Sequence, residues 1–342
     1  MNKGFSRQEP GITAGQGDSL LVGRKDISGR GGKTGGRIVC IGGAHVDRKA
    51  VCKDEVHFET SNPVTTSEMC GGVVRNISEN LARLGVDVSL LSCVGRDKEG
   101  DWILENSARH GVNIDSVLRS RDRTGTYTAL LNTDGEMVIS MADMEIYEQL
   151  SVTYLMEVWP LIETADFVVI DTNLPEASLF YTIQRCVMEG IPVYVDPVSV
   201  PKAKRLLPML NGIHCILPNR EEAEILSGMK IESLSDCRKA SALIQESGVK
   251  QVVITLGKDG VYGADGESTF HLPAFPVEVL DVTGAGDAFT AGFLYGLSEG
   301  EAFRHACRIG SAAAALALQS NLSVHPQFDV PHISAIMKEN VK

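Results

Sequence analysis

The sequence predicts an α/β fold: a three-layer sandwich with a mainly parallel central sheet and a small β-sheet lid. Three observations carry this. From residue 150 onward, short continuous apolar runs alternate with amphipathic stretches of helical length, the pattern of strands buried on both faces by crossover helices. Two regions, about 46–70 and 121–145, break that rhythm with strand-like segments of their own. Near the end, Asp281-Val282-Thr283-Gly284-Ala285-Gly286-Asp287 joins a strand-like run (Pro276, Val277, Val279, Leu280) to apolar residues at helical spacing, Phe289, Phe293, Leu294 and Leu297.

The chain has 342 residues, 43% of them hydrophobic and 22% charged, which suits one large globular domain. A net charge of −12 argues against nucleic acid as a partner. No apolar run approaches the roughly 18 residues of a membrane span, so no membrane is expected. The 8 cysteines show no C-x-x-C pair and no zinc spacing with histidine, which reads as reduced thiols in a cytoplasmic protein. Residues 1–36, rich in Gly, Ser, Lys and Arg without an apolar period, read as a flexible leader, and 37–342 as the folded domain. The leader holds Gly32-Lys33-Thr34, but a P-loop needs a glycine where Ile27 stands and a strand before it.

The elements follow in order. Arg37 to Ile41 is a buried strand ending at Gly42-Gly43, with Asp47 just beyond. Gly71-Gly72 opens an amphipathic helix carrying Val73, Ile77, Leu81 and Leu84, stopped by Gly85. A strand over Val86 to Val94, a helix over 98–110 and a short strand near 112–118 come next. The hairpin of Thr126 to Leu131 and Met137 to Met141 turns at Asp134-Gly135. Then come helix 151–164, strand Asp166–Asp171, helix 176–189, strand Pro192–Asp196, helix 201–211, strand Cys215–Leu217, helices 221–228 and 235–247, strand Gln251–Thr255 and hairpin 261–271.

Ligands of a parallel sheet bind at the carboxyl ends of its strands. Asp47, Asn173, Asp196, Asn219, Glu222, Thr255 and Asp287 all fall on that edge. Gly284, Ala285 and Gly286 put free backbone donors at a helix N-terminus, an anion-binding arrangement. A carboxylate there, Asp287, opposes a bound anion unless it takes a proton. Each residue alone also has a plainer reading: Asp287 and Glu222 as acids of a first helical turn, Asp47 as a turn residue, Asn76 as a helix cap.

Together these residues resemble the ribokinase-like (PfkB) family of sugar and nucleoside kinases, from Arg37 to the C-terminus. The matching motifs are Gly71-Gly72 with Asn76, Asn219-x-x-Glu222, and Asp281-x-Thr283-Gly284-Ala285-Gly286-Asp287. Within the family, the pseudouridine kinases are most similar, through Thr60-Ser61-Asn62-Pro63, Gly71-Gly72-Val73-x-Arg75-Asn76-Ile77, Asp143-Met144, Val195-Asp196-Pro197-Val198-Ser199 and Pro218-Asn219-Arg220-x-Glu222. Val74 departs from them, standing where they have a third glycine, and is expected to add bulk beside the sugar.

The resemblance implies an ATP-dependent kinase acting on the 5′-hydroxyl of pseudouridine. Asp287 would be the base, and the amides of Gly284, Ala285, Gly286 and Asp287 the anion hole for the transferred phosphoryl group. Asp47, Gly71, Gly72 and Asn76 would hold the ribose. Asn62, Asp143 and Asn173 would contact the substrate from the lid or the base side. Asn219, Glu222, Thr255, Gly257 and Gly260 would bind the nucleotide, Glu222 acting on Mg2+ through water. Asp281 and Thr283, with carbonyls near Ala317 to Leu322, would form a monovalent-cation site, its ion being potassium. Exposed lid edges permit a homodimer. The alternatives are a ribokinase or another nucleoside or sugar kinase, or a non-catalytic binding protein on the same fold. A sugar-phosphate acceptor would require extra basic groups, for which Arg75, Arg121 and Arg123 are the candidates.

Overall fold

Residues 36–339 are described by the computed structural model, so the expected leader lies outside the described residues apart from Gly36. In chain order the elements are β1 (Arg37–Ile41), β2 (His45–Cys52), β3 (Val64–Gly71), α1 (Val73–Arg83), β4 (Asp87–Leu91), β5 (Cys93–Gly95), α2 (Lys98–Arg109), β6 (Leu118–Ser120), β7 (Thr126–Leu131) and β8 (Met137–Asp143). They continue with α3 (Val152–Ile162), β9 (Phe167–Asp171), α4 (Glu176–Glu189), β10 (Val193–Asp196), α5 (Val200–Ala203), β11 (Cys215–Ile216), α6 (Arg220–Ser227), α7 (Leu234–Glu246), β12 (Gln251–Thr255), β13 (Val261–Ala264), β14 (Thr269–Leu272), α8 (Ala285–Ser298), α9 (Phe303–Ala317) and α10 (Val330–Glu339).

The main sheet has eight strands in the order β14-β13-β12-β11-β10-β9-β1-β4. The six from β12 to β4 are parallel, and β13 and β14 turn back antiparallel at one edge. Successive side chains of a strand point to opposite faces, and here both faces are apolar. Val39, Ile41, Val168, Ile170, Val193, Val195, Val252 and Ile254 enter one core with residues of α3, α4, α6 and α7. Ile38, Cys40, Val169, Tyr194 and Val253 enter the other, against α1, α8 and α9. The result is the three-layer sandwich expected from the continuous apolar strands. Among the described residues no helix is long and apolar enough to cross a membrane.

A separate sheet of four strands, in the order β3-β2-β7-β8, is built from the two interrupting regions. Its centre is the parallel pair β2 and β7. At one end Val46 registers with both Cys70 and Thr126, and Thr126 with Asp143, so all four strands meet in a single row. Three local expectations differ. The strand foreseen over Val86 to Val94 is split at Ser92, whose hydroxyl donates to the Gly42 carbonyl at 2.6 Å; β4 joins the main sheet and β5 pairs with β6. The helix foreseen over 201–211 is one α-turn followed by a 3-10 segment, Lys204–Met209, with Pro208 inside it. The run Pro276 to Leu280 is not a strand: Pro273 and Pro276 have no N–H to give a ladder, and the Leu280 amide bonds the Leu318 carbonyl at 2.8 Å.

Candidate active site

The helix start that the sequence marks is open. Gly284 caps α8 with φ of 78°, and a β-carbon on it would lie 2.1 Å from the Ser323 carbonyl oxygen, so only glycine fits. No side chain caps this end. The Ala285 amide makes a long bond of 3.3 Å to the Val282 carbonyl. Those of Gly284, Gly286 and Asp287 have no partner among the described residues. Nothing lies within 4 Å of where a Gly286 side chain would start. Unpaired donors at the positive end of a helix dipole, facing open space, suit an anion.

Asp287 lies in the first turn of α8 and accepts from the Asn76 amide at 2.7 Å. Burial pushes its carboxyl up, with Asp47 and Asp171 adding to the effect; Asn76 and Arg75 oppose it, and the pKa settles at about 7. The orientation of Asn76 is fixed from behind. The Arg75 guanidinium donates to the Asn76 carbonyl oxygen, which leaves the amide nitrogen directed at Asp287. Arg75 also donates to the Gly71 carbonyl at 3.0 Å and to Glu79 at 2.7 Å. Glu79 in turn holds Arg83 at 2.8 Å and His110 at 3.2 Å. Burial pushes the Glu79 carboxyl up, but Arg75, Arg83 and His110 outweigh it and hold it below the ordinary range.

Asp47 stands at the root of β2. His45 Nε2 lies 3.1 Å from its carboxylate, and His45 Nδ1 lies 2.9 Å from the Tyr147 hydroxyl. The backbone of α1's approach is pressed against it. A β-carbon on Gly71 would fall 2.2 Å from an Asp47 oxygen. Gly72, with φ of 105°, crosses Gly43 so closely that a β-carbon would meet its carbonyl at 2.3 Å. Asp171, fully buried at the end of β9, ties these segments together. It accepts from the amides of Gly43 at 3.0 Å, Asn173 at 2.9 Å and Val74 at 3.4 Å. Asn173 turns its side-chain oxygen to the Lys202 ammonium.

On the neighbouring strands, Asn219 and Glu222 form a reciprocal cap at the start of α6, each backbone amide bonding the other's side chain at 2.9 Å. The helix-capping reading of Glu222 is therefore true of one carboxylate oxygen. Thr255 bridges to Asn219 at the end of β12, and Gly257 and Gly260, with φ of 60° and 88°, frame the turn that follows. Glu222 is raised by burial. Asp196, at the end of β10, is raised well above the ordinary range by burial and then by Glu222, Asp287 and Asp171. It accepts the Val198 amide at 2.8 Å across a tight turn in which Ser199 bonds Pro197 at 2.7 Å and Val198 is held at φ of 63°. Such a conformation is costly for a β-branched residue and persists only where its surroundings impose it.

Residues 36–327 match the pfkB family carbohydrate kinase pattern. The chain belongs to the PfkB carbohydrate kinase family. The chain is 34% identical to the pseudouridine kinase of Escherichia coli K12 over 304 residues, 88% of this chain and 96% of that enzyme. A carbohydrate kinase from Agrobacterium tumefaciens superposes with a TM-score of 0.78 at 32% identity, over 89% of this chain and 97% of that one. The ribokinase of Arabidopsis thaliana, complexed with ribose and ATP, superposes with a TM-score of 0.78 at 25% identity, over 89% of this chain and 99% of that one. This PfkB kinase therefore has the ribokinase-like fold.

Several residues expected at the site of this PfkB kinase make other contacts in this structure. The Asn62 amide is engaged within its own loop, accepting from the His57 amide at 2.8 Å and donating to the His57 carbonyl at 2.7 Å. Asp143 registers with Thr126 and so lies on the face of the small sheet opposite to Asp47, which registers with Tyr127. Val74 is fully buried, its bulk packed within the core. Arg75 is a buried residue of α1 and not a lid cation. Asp281 and Thr283 do face a cation, but it is the Lys49 ammonium, 2.7 Å from Asp281 and 3.1 Å from Thr283. Asp171 and Lys202 also stand here, outside the motifs that mark the other residues. Asp171 ends a continuous apolar strand, a position that could have marked it; nothing in the spacing of Lys49 or Lys202 does so.

Proposed function

We propose that this kinase transfers the γ-phosphoryl group of ATP to the 5′-hydroxyl of pseudouridine. PfkB kinases are phosphotransferases acting on hydroxyl groups, and pseudouridine is the acceptor proposed for this one. The observation that carries it is Asp287, a carboxyl poised near neutrality beside an open helix N-terminus. The acceptor oxygen attacks the γ-phosphorus, the bond to the β-phosphate oxygen breaks, ADP leaves, and the hydroxyl proton passes to Asp287. The amides of Gly284, Gly286 and Asp287 face the charge on the transferred group. Asp47 accepts from ribose hydroxyls, and a substrate lacking one leaves a buried acceptor unpaired. Asn76 holds Asp287 in place. The small sheet serves as a lid that excludes water.

The acids at the strand ends fit magnesium that arrives with the nucleotide. Among the described residues no three could hold a bare metal ion, whereas Glu222 and Asp196 are raised carboxyls without a cationic partner. Magnesium keeps several waters, and Asn219 and Glu222 would hold it through them. The ion supplies neutralising charge to the phosphates.

Similarity to the Escherichia coli pseudouridine kinase supports the acceptor, as does the burial of Arg75, which is 1% exposed with its guanidinium on Gly71, Glu79 and Asn76 and so is withheld from a sugar phosphate. Turnover with pseudouridine, uridine, ribose and fructose 6-phosphate tests it: pseudouridine should give the highest kcat/KM, and any other ranking overturns the substrate. Asp287→Asn should lower kcat by about 10²–10⁴ while ATP binding persists; retained turnover removes Asp287 as the base. Self-association through the lid is supported by Met137, Ile139 and Met141, each more than half exposed on edge strand β8; a purely monomeric sedimentation profile contradicts it. Eight free, buried cysteines support a reducing, cytoplasmic setting, which cell fractionation checks.

A further inference from the structure

The family resemblance places a monovalent cation at Asp281 and Thr283, and the donors there do not fit one. One Asp281 carboxylate oxygen accepts both the amide and the hydroxyl of Thr283, at 2.9 and 2.7 Å. The other accepts the Lys49 ammonium at 2.7 Å, and Lys49 also donates to the Thr283 hydroxyl oxygen at 3.1 Å. The Leu318 carbonyl, within the stretch expected to complete the site, accepts from the Leu280 amide at 2.8 Å. Lys49 and Asp281 are each about three-quarters buried, with 23% of each side chain exposed. A potassium ion entering here would meet an ammonium of the same charge already on its ligands.

We propose that Lys49 is a built-in monovalent cation: its ammonium takes the place of potassium beside the phosphoryl-binding turn, and this kinase works without a potassium requirement. The proposal rests on the reading of Gly284 to Asp287 as that turn. The chemistry is economical. Asp281 and Thr283 lie immediately before Gly284 and fix the path of the chain into α8. A positive charge at Asp281 neutralises its carboxylate next to the site where phosphate oxygens arrive. An ammonium does both through hydrogen bonds, as a bound ion does through coordination. Because Lys49 belongs to β2, the charge is carried on the small sheet and reaches the turn only with the sheet in this position.

The test compares the full chain in potassium chloride and in tetramethylammonium chloride at one ionic strength, reading Tm without nucleotide and the Kd of magnesium-ATP. For the wild type both should be the same in the two salts within about twofold in Kd. For Lys49→Met, and for Lys49→Gln as a second variant, potassium should raise Tm and tighten ATP binding by about fivefold or more, the range of ordinary site coupling. A wild-type protein whose Tm and ATP affinity rise with potassium overturns the proposal. So do folded Lys49 variants that are indifferent to potassium, since Lys49 would then be a simple ion-pair residue. If neither variant folds, the wild-type comparison alone decides. Loss of ATP binding in both salts, with the Tm pattern intact, counts against the phosphotransfer reading and not against this one.

Discussion

The Asn76 amide donates to the Asp287 carboxylate at 2.7 Å, joining the first turn of α1 to the first turn of α8. The bond favours the ionised form of a carboxyl that burial drives to about 7. Below that pH Asp287 is protonated and cannot take the acceptor's proton. The kcat/KM of the free enzyme should therefore rise with pH through about 7 and level off above it. In Asn76→Ala the stabilising donor is gone. A hydrogen bond to a charged group contributes about 1.5–3 kcal/mol, so the acidic limb should move up by about one pH unit or more. A limb that stays in place in this variant separates Asp287 from the observed titration.

Glu79 is expected to be among the most sensitive positions for stability. Arg75 is 1% exposed, and Glu79 is its anionic partner. Glu79→Ala leaves a buried guanidinium without a counter-charge, a loss of about 3–5 kcal/mol, measurable by urea unfolding. The sign of its pH dependence follows from a depressed carboxyl: the contribution is present above the ordinary carboxylate pKa and fades as pH falls through the lowered one. Stability of the variant within 1 kcal/mol of wild type would show that Arg83 and His110, not Arg75, account for the placement of Glu79.

Val74→Gly tests where the substrate lies relative to α1. Because Val74 is fully buried in the core, its removal should cost about 2–4 kcal/mol, from lost apolar burial and a glycine in a helix. The KM for the nucleoside should stay within about twofold, a difference below 0.5 kcal/mol. A KM that falls tenfold while stability holds would return Val74 to the sugar's side.

The frame was legible because its signals are local. The apolar runs at Val168 to Ile170 and Val252 to Ile254 read as buried strands from their length, composition and flanks, and Gly284 as a helix start from the small residues and helical spacing after it. The run Pro276 to Leu280 misled because apolar composition says nothing of a pairing partner. The surroundings of Asn62 and Asp143 were not legible for a related reason: where a polar side chain goes depends on loop closure and strand register, which are set by segments far along the chain. Arg75 has the composition of a surface residue, and only Glu79, four residues on, makes its burial tolerable. Lys49 lay hidden because its partners are more than two hundred residues away.

The single row in which Val46, Cys70, Thr126 and Asp143 register orders the residues of β2 by their distance from it. At roughly 3.3 Å per residue, Asp47 is about 3 Å from that row, Lys49 about 10 Å and the end of β2 at Cys52 about 20 Å. The carboxylate proposed to grip the ribose thus stands beside the row where all four strands meet, while the ammonium that meets Asp281 stands further out along the same strand. Were the small sheet to close as the proposed lid by turning about that row, Lys49 would travel about three times as far as Asp47.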